Sequence, residues 1–590
     1  MKAIMVMFDT LRKDNLSCYG DCETITPNFE RAAKKMETFD NFYVGSLPCI
    51  PARRDLQTGR YNFLHRSWGP IEPFDDCFPA ILDKAGIYSH LVTDHSHYLE
   101  DGGATYHNRY SSWECFRGQE GDRWKPRIEL DKVEKQHESV KKGVSLKQNF
   151  INRKYQAKEE DTSAYKTFKA GLDFIDNNQD KDDWFLQVEC FNPHEPFNTP
   201  KKYLDMYEDD YTGEPFDWPS YKPVTESEEA VRHINTTYKA IVSMCDKYLG
   251  DILDSMDKYN MWEDTMLIIN TDHGFLLSEH GWWGKNIQPQ YNEIANIPFL
   301  VYDPRIKKAN ERRQALCQTI DIAPTVLEYF GCDIPDTMEG HSLYETELND
   351  KKVRDYALFG MHGGHVNITD THHLYMRACA DTDNQPLYQY TLMPTNIRNF
   401  FQKKQLMNST LTDEFDFTGN LPVLKVPVSS FISPYRFGNR LYDLDKDPKQ
   451  LSKLDDVKIE LEMISAMRKV MIDSQAPSDQ FERLGLDKEY TEDDLKAERE
   501  CYNNSMILNI DDVILTDKST AQLLTIRSFL GAEDRDNFSK LVQSFCLQND
   551  CKQIDDKNID EVIEFFKRKF VVAGKPQMLI KLIKFAYVRD

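Results

Sequence analysis

Cationic residues are in short supply. The 590-residue chain carries 73 Lys and Arg against 97 Asp and Glu, a formal net charge of −24. That sign makes the chain a poor candidate for non-specific binding to nucleic acid or to an anionic membrane. An anionic substrate would need cations gathered locally, from a metal ion or a few Arg and Lys. Paired cysteines are also missing. The 13 cysteines are scattered, odd in number and without a CxxC pair, which speaks against a disulfide framework and a structural zinc site. Reduced thiols in a reducing compartment are the expectation. There is no run of about 20 apolar residues to span a membrane, no internal repeat and no low-complexity tract. The apolar stretch after Met1-Lys2 is only about six residues, too short for a secretory leader, and it ends in Asp9. A cytoplasmic protein is expected, with neither membrane nor nucleic acid as partner. What remains is ordinary globular composition, 40% hydrophobic and 29% charged, with length for three or four domains.

Residues 1–345 read as α/β. Four short apolar runs, Ala3–Phe8, Phe185–Cys190, Met266–Asn270 and Ile297–Tyr302, suit strands buried on both faces, as in a parallel sheet. Three of them hand over to polar residues: Asp9, the Asn192-Pro193-His194 segment, and Thr271-Asp272. Open α/β sheets place ligands at such carboxyl ends. A helix is expected over about 227–259, where Ile234, Tyr238, Ile241, Cys245, Leu249, Ile252 and Met256 recur at helical spacing. The acidic, aromatic and Pro-rich stretch 201–225 reads as a long loop. Residues 346–480 read as a smaller antiparallel-sheet subdomain with a closing helix near 456–472. Residues 481–590 read as a helical extension, with apolar faces at 538–545 and 559–570 and a basic end. Packing on the main body, or homo-oligomer formation through these helices, is their expected use.

The chemistry-bearing residues begin with Pro48-Cys49-Ile50-Pro51-Ala52-Arg53, followed by Thr58-Gly59-Arg60. Thr26-Pro27-Asn28 precedes them. Thr271-Asp272-His273-Gly274, Gly284-Lys285, Ile297-Pro298-Phe299, Asp321-Ile-Ala-Pro-Thr and Leu441-Tyr-Asp-Leu follow in order. This ordered set, over about 1–475, resembles the sulfatase family, the formylglycine-dependent type I sulfatase and phosphonate monoester hydrolase branch of the alkaline-phosphatase-like superfamily. The resemblance implies a mixed, mostly parallel sheet flanked by helices. It implies that a maturation enzyme oxidises Cys49 to formylglycine, whose hydrated form has two hydroxyls: one attacks sulfur and the other lets the aldehyde re-form as sulfate leaves. Asp9, Cys49, Asp272 and His273 match metal ligands, with calcium first and manganese or magnesium as alternatives. Arg53 matches the arginine that steadies the diol, Lys285 the lysine on the transferred group, and His194 the histidine near the leaving group. His95 and His97 stand where the family has Lys-x-His, as substrate-binding candidates. Ala52 stands where Ser is usual. Thr10 follows Asp9 where many members have a second acid, and His273 replaces a frequent Asn; both features are similar to phosphonate monoester hydrolases and choline-sulfatases.

The expectation is therefore a sulfuric ester hydrolase acting on a small sulfated saccharide or metabolite. The alternative is a phosphonate monoester or phosphodiester hydrolase with the same machinery. His362, His365, His372 and His373 are further candidates to reach the pocket from the second region.

Overall fold

A computed structural model describes residues 1–128, 135–430, 432 and 434–506, together with two short strands at 514–515 and 553–554. A central sheet is built from β1 (Lys2–Asp9), β2 (Glu37–Phe39), β3 (Tyr88–Thr93), β4 (Ser112–Cys115), β5 (Trp184–Pro193), β6 (Thr265–Thr271), β7 (Phe299–Tyr302) and β8 (Glu311–Arg313). Their order is β8-β2-β7-β6-β1-β5-β3-β4. All four apolar runs are strands of this sheet, and β5, β1 and β6 lie side by side and parallel. β7 differs: it runs antiparallel to both neighbours. Its terminal Asp303 accordingly leaves at the other end of the sheet, where Arg305 holds it.

The continuous apolar pattern has a direct cause. Side chains alternate across a strand. Ala3, Met5 and Met7 enter one hydrophobic cluster, and Ile4, Val6 and Phe8 enter the opposite one. The first cluster contains α1 (Cys49–Thr58); the second contains α2 (Ser163–Asn178) and α3 (Glu228–Lys258). α3 matches the expected helix, and Ser227 caps it by accepting from the Ala230 N–H. Its stripe does more than fill the core: Tyr238 donates to the Thr10 carbonyl at 2.8 Å and accepts from the Arg12 N–H at 2.9 Å. It thereby steadies the turn after Asp9.

The second sheet contains β9 (Ala357–Met361), β10 (Val366–Thr369), β11 (His373–Arg377) and β12 (Arg440–Asp443). These pair antiparallel, with α4 (Val457–Asp473) closing one face through Met463, Ile464 and Met467. One member comes from elsewhere: the dipeptide Ser46–Leu47 pairs in parallel with β9. A separate three-stranded sheet, Tyr388–Thr391, Thr410–Thr412 and Val423–Pro427, was not anticipated. Of the helical extension, Ser478–Leu484 and Glu492–Met506 are helices, and Leu495 is buried with the second sheet's core. The helices expected at 538–545 and 559–570 lie outside the described residues. The ten cysteines from Cys18 to Cys379 are free, and among the described residues no helix is long and apolar enough to cross a membrane.

Candidate active site

The site forms where β1 and β6 end against the N-terminus of α1. Spacing explains the local geometry. In a helix residues four apart share a face, so Arg53 lies one turn beyond Cys49 and its guanidinium donates back to the Cys49 carbonyl at 2.9 Å. Gly59, at φ 64°, ends α1 in the left-handed conformation that glycine adopts without strain. Gly274 is needed for another reason: a Cβ there would lie 1.9 Å from the Glu293 carbonyl oxygen.

Arg53 is the hub. It donates from one terminal nitrogen to Asp9 at 2.9 Å, from the other to Asp272 at 2.6 Å, and from Nε to Glu189 at 2.8 Å. All four side chains are buried. Burial alone would lower the guanidinium's pKa, but Glu189, Asp272 and Asp9 outweigh it and raise it. Cys49 Sγ lies 3.2 Å from His273 Nε2 and 3.4 Å from Lys285 Nζ. Burial, and then the Asp9 charge, push the thiol up, so the unmodified cysteine is a poor thiolate nucleophile. Burial opposes the Lys285 charge, but the carboxylates of Glu195 and Asp9 help to outweigh it and Lys285 stays charged. It also donates to Thr10 Oγ at 3.0 Å, and Thr10 Oγ donates to Asp9 at 2.6 Å. Thr10 has φ 68°, rare for a β-branched residue. That conformation aims its N–H at Asp272 Oδ1, 2.9 Å away.

Asp9, Cys49, Asp272 and His273 each present a ligand atom within 4.8 Å of the others. His273 Nδ1 donates to the Gly274 carbonyl at 2.9 Å, which turns Nε2 inward. Burial, and then Lys285, lower its pKa to about 3, keeping the imidazole neutral as a ligand must be. Carboxylate oxygens with one imidazole suit a hard or borderline divalent cation. Charge points the same way. Asp9, Asp272 and Glu189 against Arg53 and Lys285 leave this group negative by one, the wrong sign to receive an anion. A divalent cation reverses it.

The histidines divide. His95 is fully buried, 3.6 Å from Asp9, and neither ring nitrogen has a partner within the chain. Burial, and then Arg53, keep it neutral, so it offers an unused hydrogen-bonding group at the reaction centre. His97 is engaged at both nitrogens, by Glu100 and by Arg398, each at 2.8 Å. It braces the rim and has no free nitrogen for a ligand. His194 stacks on Phe191, and its Nδ1 donates to the Glu195 carbonyl at 2.6 Å. Burial and Lys285 lower its pKa, so the resting imidazole presents an acceptor at Nε2. Delivering a proton from it requires prior protonation. His362 and His365 bond to the Tyr388 and Gly438 carbonyls, and His372 and His373 pair with Asp445 and Asp370. None of these four lies in the metal-ligating cluster. Of the other landmarks, Arg60 ties to Thr337 and Asp321 to Arg354; both are structural.

Sequence reasoning missed Glu189 and Tyr98, and read Thr10 only as the absence of a second acid. Tyr98 donates to Glu189 at 3.0 Å, completing the support behind Arg53. A signal existed: Gln187 and Glu189 are polar residues two apart in an apolar strand, hence on one face, and a buried carboxylate demands a partner.

A family model described as Sulfatase matches residues 2–332, and one described as N-sulphoglucosamine sulphohydrolase, C-terminal, matches 278–415. An arylsulfatase of Clostridium perfringens is 23% identical over 501 residues, covering 80% of this chain and 93% of its own. An N-acetylglucosamine-6-O-sulfatase of Bacteroides thetaiotaomicron is 22% identical, covering 59% and 71%. Among solved structures, the phosphonate monoester hydrolase of Agrobacterium radiobacter superposes with a TM-score of 0.56 at 17% identity, over 81% of this chain and 96% of that one.

Proposed function

The chain belongs to the sulfatase family, and from that premise we propose that it hydrolyses the sulfate ester of a small saccharide or metabolite, using formylglycine made from Cys49 and a divalent metal, calcium first. The observation that carries this reading is the convergence of Asp9, Asp272, His273 and Cys49 within ligating distance, beside Lys285 and Arg53. When present, the metal supplies Lewis acidity toward sulfate oxygens and the oxidised side chain supplies the oxygen nucleophile.

The chain's own residues do the rest. Arg53 holds Asp9 and Asp272 in register. Lys285, 3.4 Å from Cys49 Sγ, neutralises charge on the transferred group as the bond to the alcohol breaks. His95, with unused nitrogens, donates a hydrogen bond to a sulfate oxygen. His194 faces the leaving alcohol and carries its proton once the bound anion has raised its pKa. A maturation enzyme acting on Cys49 is the necessary partner, and a cytoplasmic site of action would favour short imported saccharides over polymers.

The second reading is a phosphonate monoester hydrolase, favoured by the single acid Asp9 and the Asp272-His273 pair. The two separate by kcat/KM on 4-nitrophenyl sulfate and on 4-nitrophenyl phenylphosphonate, which share a leaving group, after mass spectrometry has verified the aldehyde at Cys49. A sulfate preference is expected. A phosphonate preference overturns the first reading in favour of the second.

A further inference from the structure

Beside the His194 loop lies a cavity of about 330 Å³ lined in part by Asn192, Pro196 and Asn198. The loop 192–198 thus borders the cavity, while His194 within it has Lys285 and Asp9 as charged neighbours. Glu120 belongs to both: it lines the cavity, and its carboxylate lies within 4.8 Å of ligand atoms of His194 and Glu195. The cavity therefore adjoins the place where the leaving alcohol departs.

Its walls indicate the occupant. Gln119, Asn149, Gln156, Asn192 and Asn198 contribute amides; Gln119 Nε2 already donates to Asp94 and to Asn192 Oδ1, at 2.7 and 3.2 Å, and Met244 is the one long apolar side chain. Gln156 Nε2 is buried with no partner in the chain, a donor that costs stability unless a ligand oxygen meets it. The cations at the wall are already paired, Arg153 with Asp217 at 2.7 Å, Lys158 with Glu160 at 3.8 Å and Lys201 with Asp205. A second anionic group finds no free partner in them, whereas an uncharged ring bearing hydroxyls finds many. The volume is that of about eleven waters at ~30 Å³ each, the scale of one sugar ring.

We propose that this cavity is a subsite for an uncharged sugar unit attached on the leaving-group side of the sulfated unit, so that the natural substrate is at least a disaccharide sulfate. The inference rests on the sulfatase reading above and deepens it. Binding tests it without turnover. Saturation-transfer NMR on the full chain with cellobiose, lactose and N,N′-diacetylchitobiose should show at least one ligand. Gln156→Ala should weaken that binding about tenfold, the worth of one well-made hydrogen bond. Ala157→Trp, at an exposed position on the cavity wall, should abolish it. No binding by any of the three overturns the subsite. In turnover, a disaccharide sulfate should exceed the matched monosaccharide sulfate at least tenfold in kcat/KM. Ala157→Trp should erase that advantage while leaving the monosaccharide rate unchanged. Equal rates on both substrates overturn the subsite and leave the sulfatase reading standing. Disaccharide binding without sulfate release from either would overturn the sulfatase reading and leave the subsite standing.

Discussion

Glu189 was hidden inside an apolar strand, and removing its charge tests whether the site depends on how Arg53 is held. Glu189→Gln keeps an oxygen 2.8 Å from Arg53 Nε but turns a charge-assisted hydrogen bond into a neutral one. The difference is about 1–2 kcal/mol. Arg53 retains Asp9 and Asp272, so the guanidinium stays charged but less firmly fixed. If the loss falls on the transition state, kcat/KM drops about 5–30-fold. Glu189→Ala also strips the partner from Tyr98 and leaves Arg53 Nε bare in a dry pocket; breaking a buried pair this way costs about 3–5 kcal/mol. A loss of at least 100-fold in activity is expected, with a lowered Tm. The assay is 4-nitrophenyl sulfate hydrolysis, normalised to aldehyde content, beside thermal unfolding of both variants. The reasoning is refuted if Glu189→Ala lowers Tm while keeping wild-type kcat/KM, or if the two variants lose activity equally. In either case Glu189 would support the fold without positioning Arg53.

Two further outcomes are expected. Glu226 accepts from the Trp283 indole and the Thr225 N–H, each at 2.8 Å, and forms an ion pair with Lys222 at 2.9 Å. Burial opposes its charge, but these bonds and one involving Ser139 outweigh it and hold its pKa near 2, below its ordinary 4.5. Because the folded value is depressed, the contribution is complete above about pH 4.5 and is lost as pH falls toward 2. Glu226→Gln should therefore cost about 2–3 kcal/mol at pH 7, and the gap to wild type in urea unfolding should close as pH falls below 4.5; a gap constant with pH would contradict this. Exhaustive chelation should abolish sulfate release and lower Tm, with calcium restoring both. Full activity in protein shown to be metal-free by elemental analysis would refute the role given to Asp9, Asp272 and His273.

Much of this site was legible because its residues are anchored to strong local patterns. β1, β5 and β6 are buried on both faces, so each reads as an unbroken apolar run, and the polar residue that ends each run marks the ligand edge of the sheet. The four-residue step from Cys49 to Arg53 is a helical turn. Other features carry no such pattern. An apolar run reads the same in either direction, so the reversal of β7 left no trace. The engagement of His97 depends on Arg398, some 300 residues away in sequence, and no local spacing encodes such a meeting. The left-handed turn at Thr10 is set by Asp272 and Tyr238, not by threonine's own preference. The cavity beside His194 is assembled from segments at 118–120, 149–163 and 192–201 together with Met244, and no local pattern links stretches so far apart.

The pairing of Ser46–Leu47 with β9 bears on how this molecule can be divided. Two residues after that pairing comes Cys49, so the segment presenting Cys49 is an edge strand of the second sheet before it becomes a helix packed on the first. Gln318 reinforces the stitch, donating to the carbonyls of Val44 and Leu358 at 2.9 and 2.7 Å. A fragment cut near residue 345 would keep Asp9, Asp272, His273 and Lys285 yet lose the strand against which the run-up to Cys49 is laid. The second sheet cannot be exchanged between relatives as an independent module, and a chimera joined at that boundary would take Asp9, Asp272 and His273 from one parent and the strand that aligns Cys49 from the other.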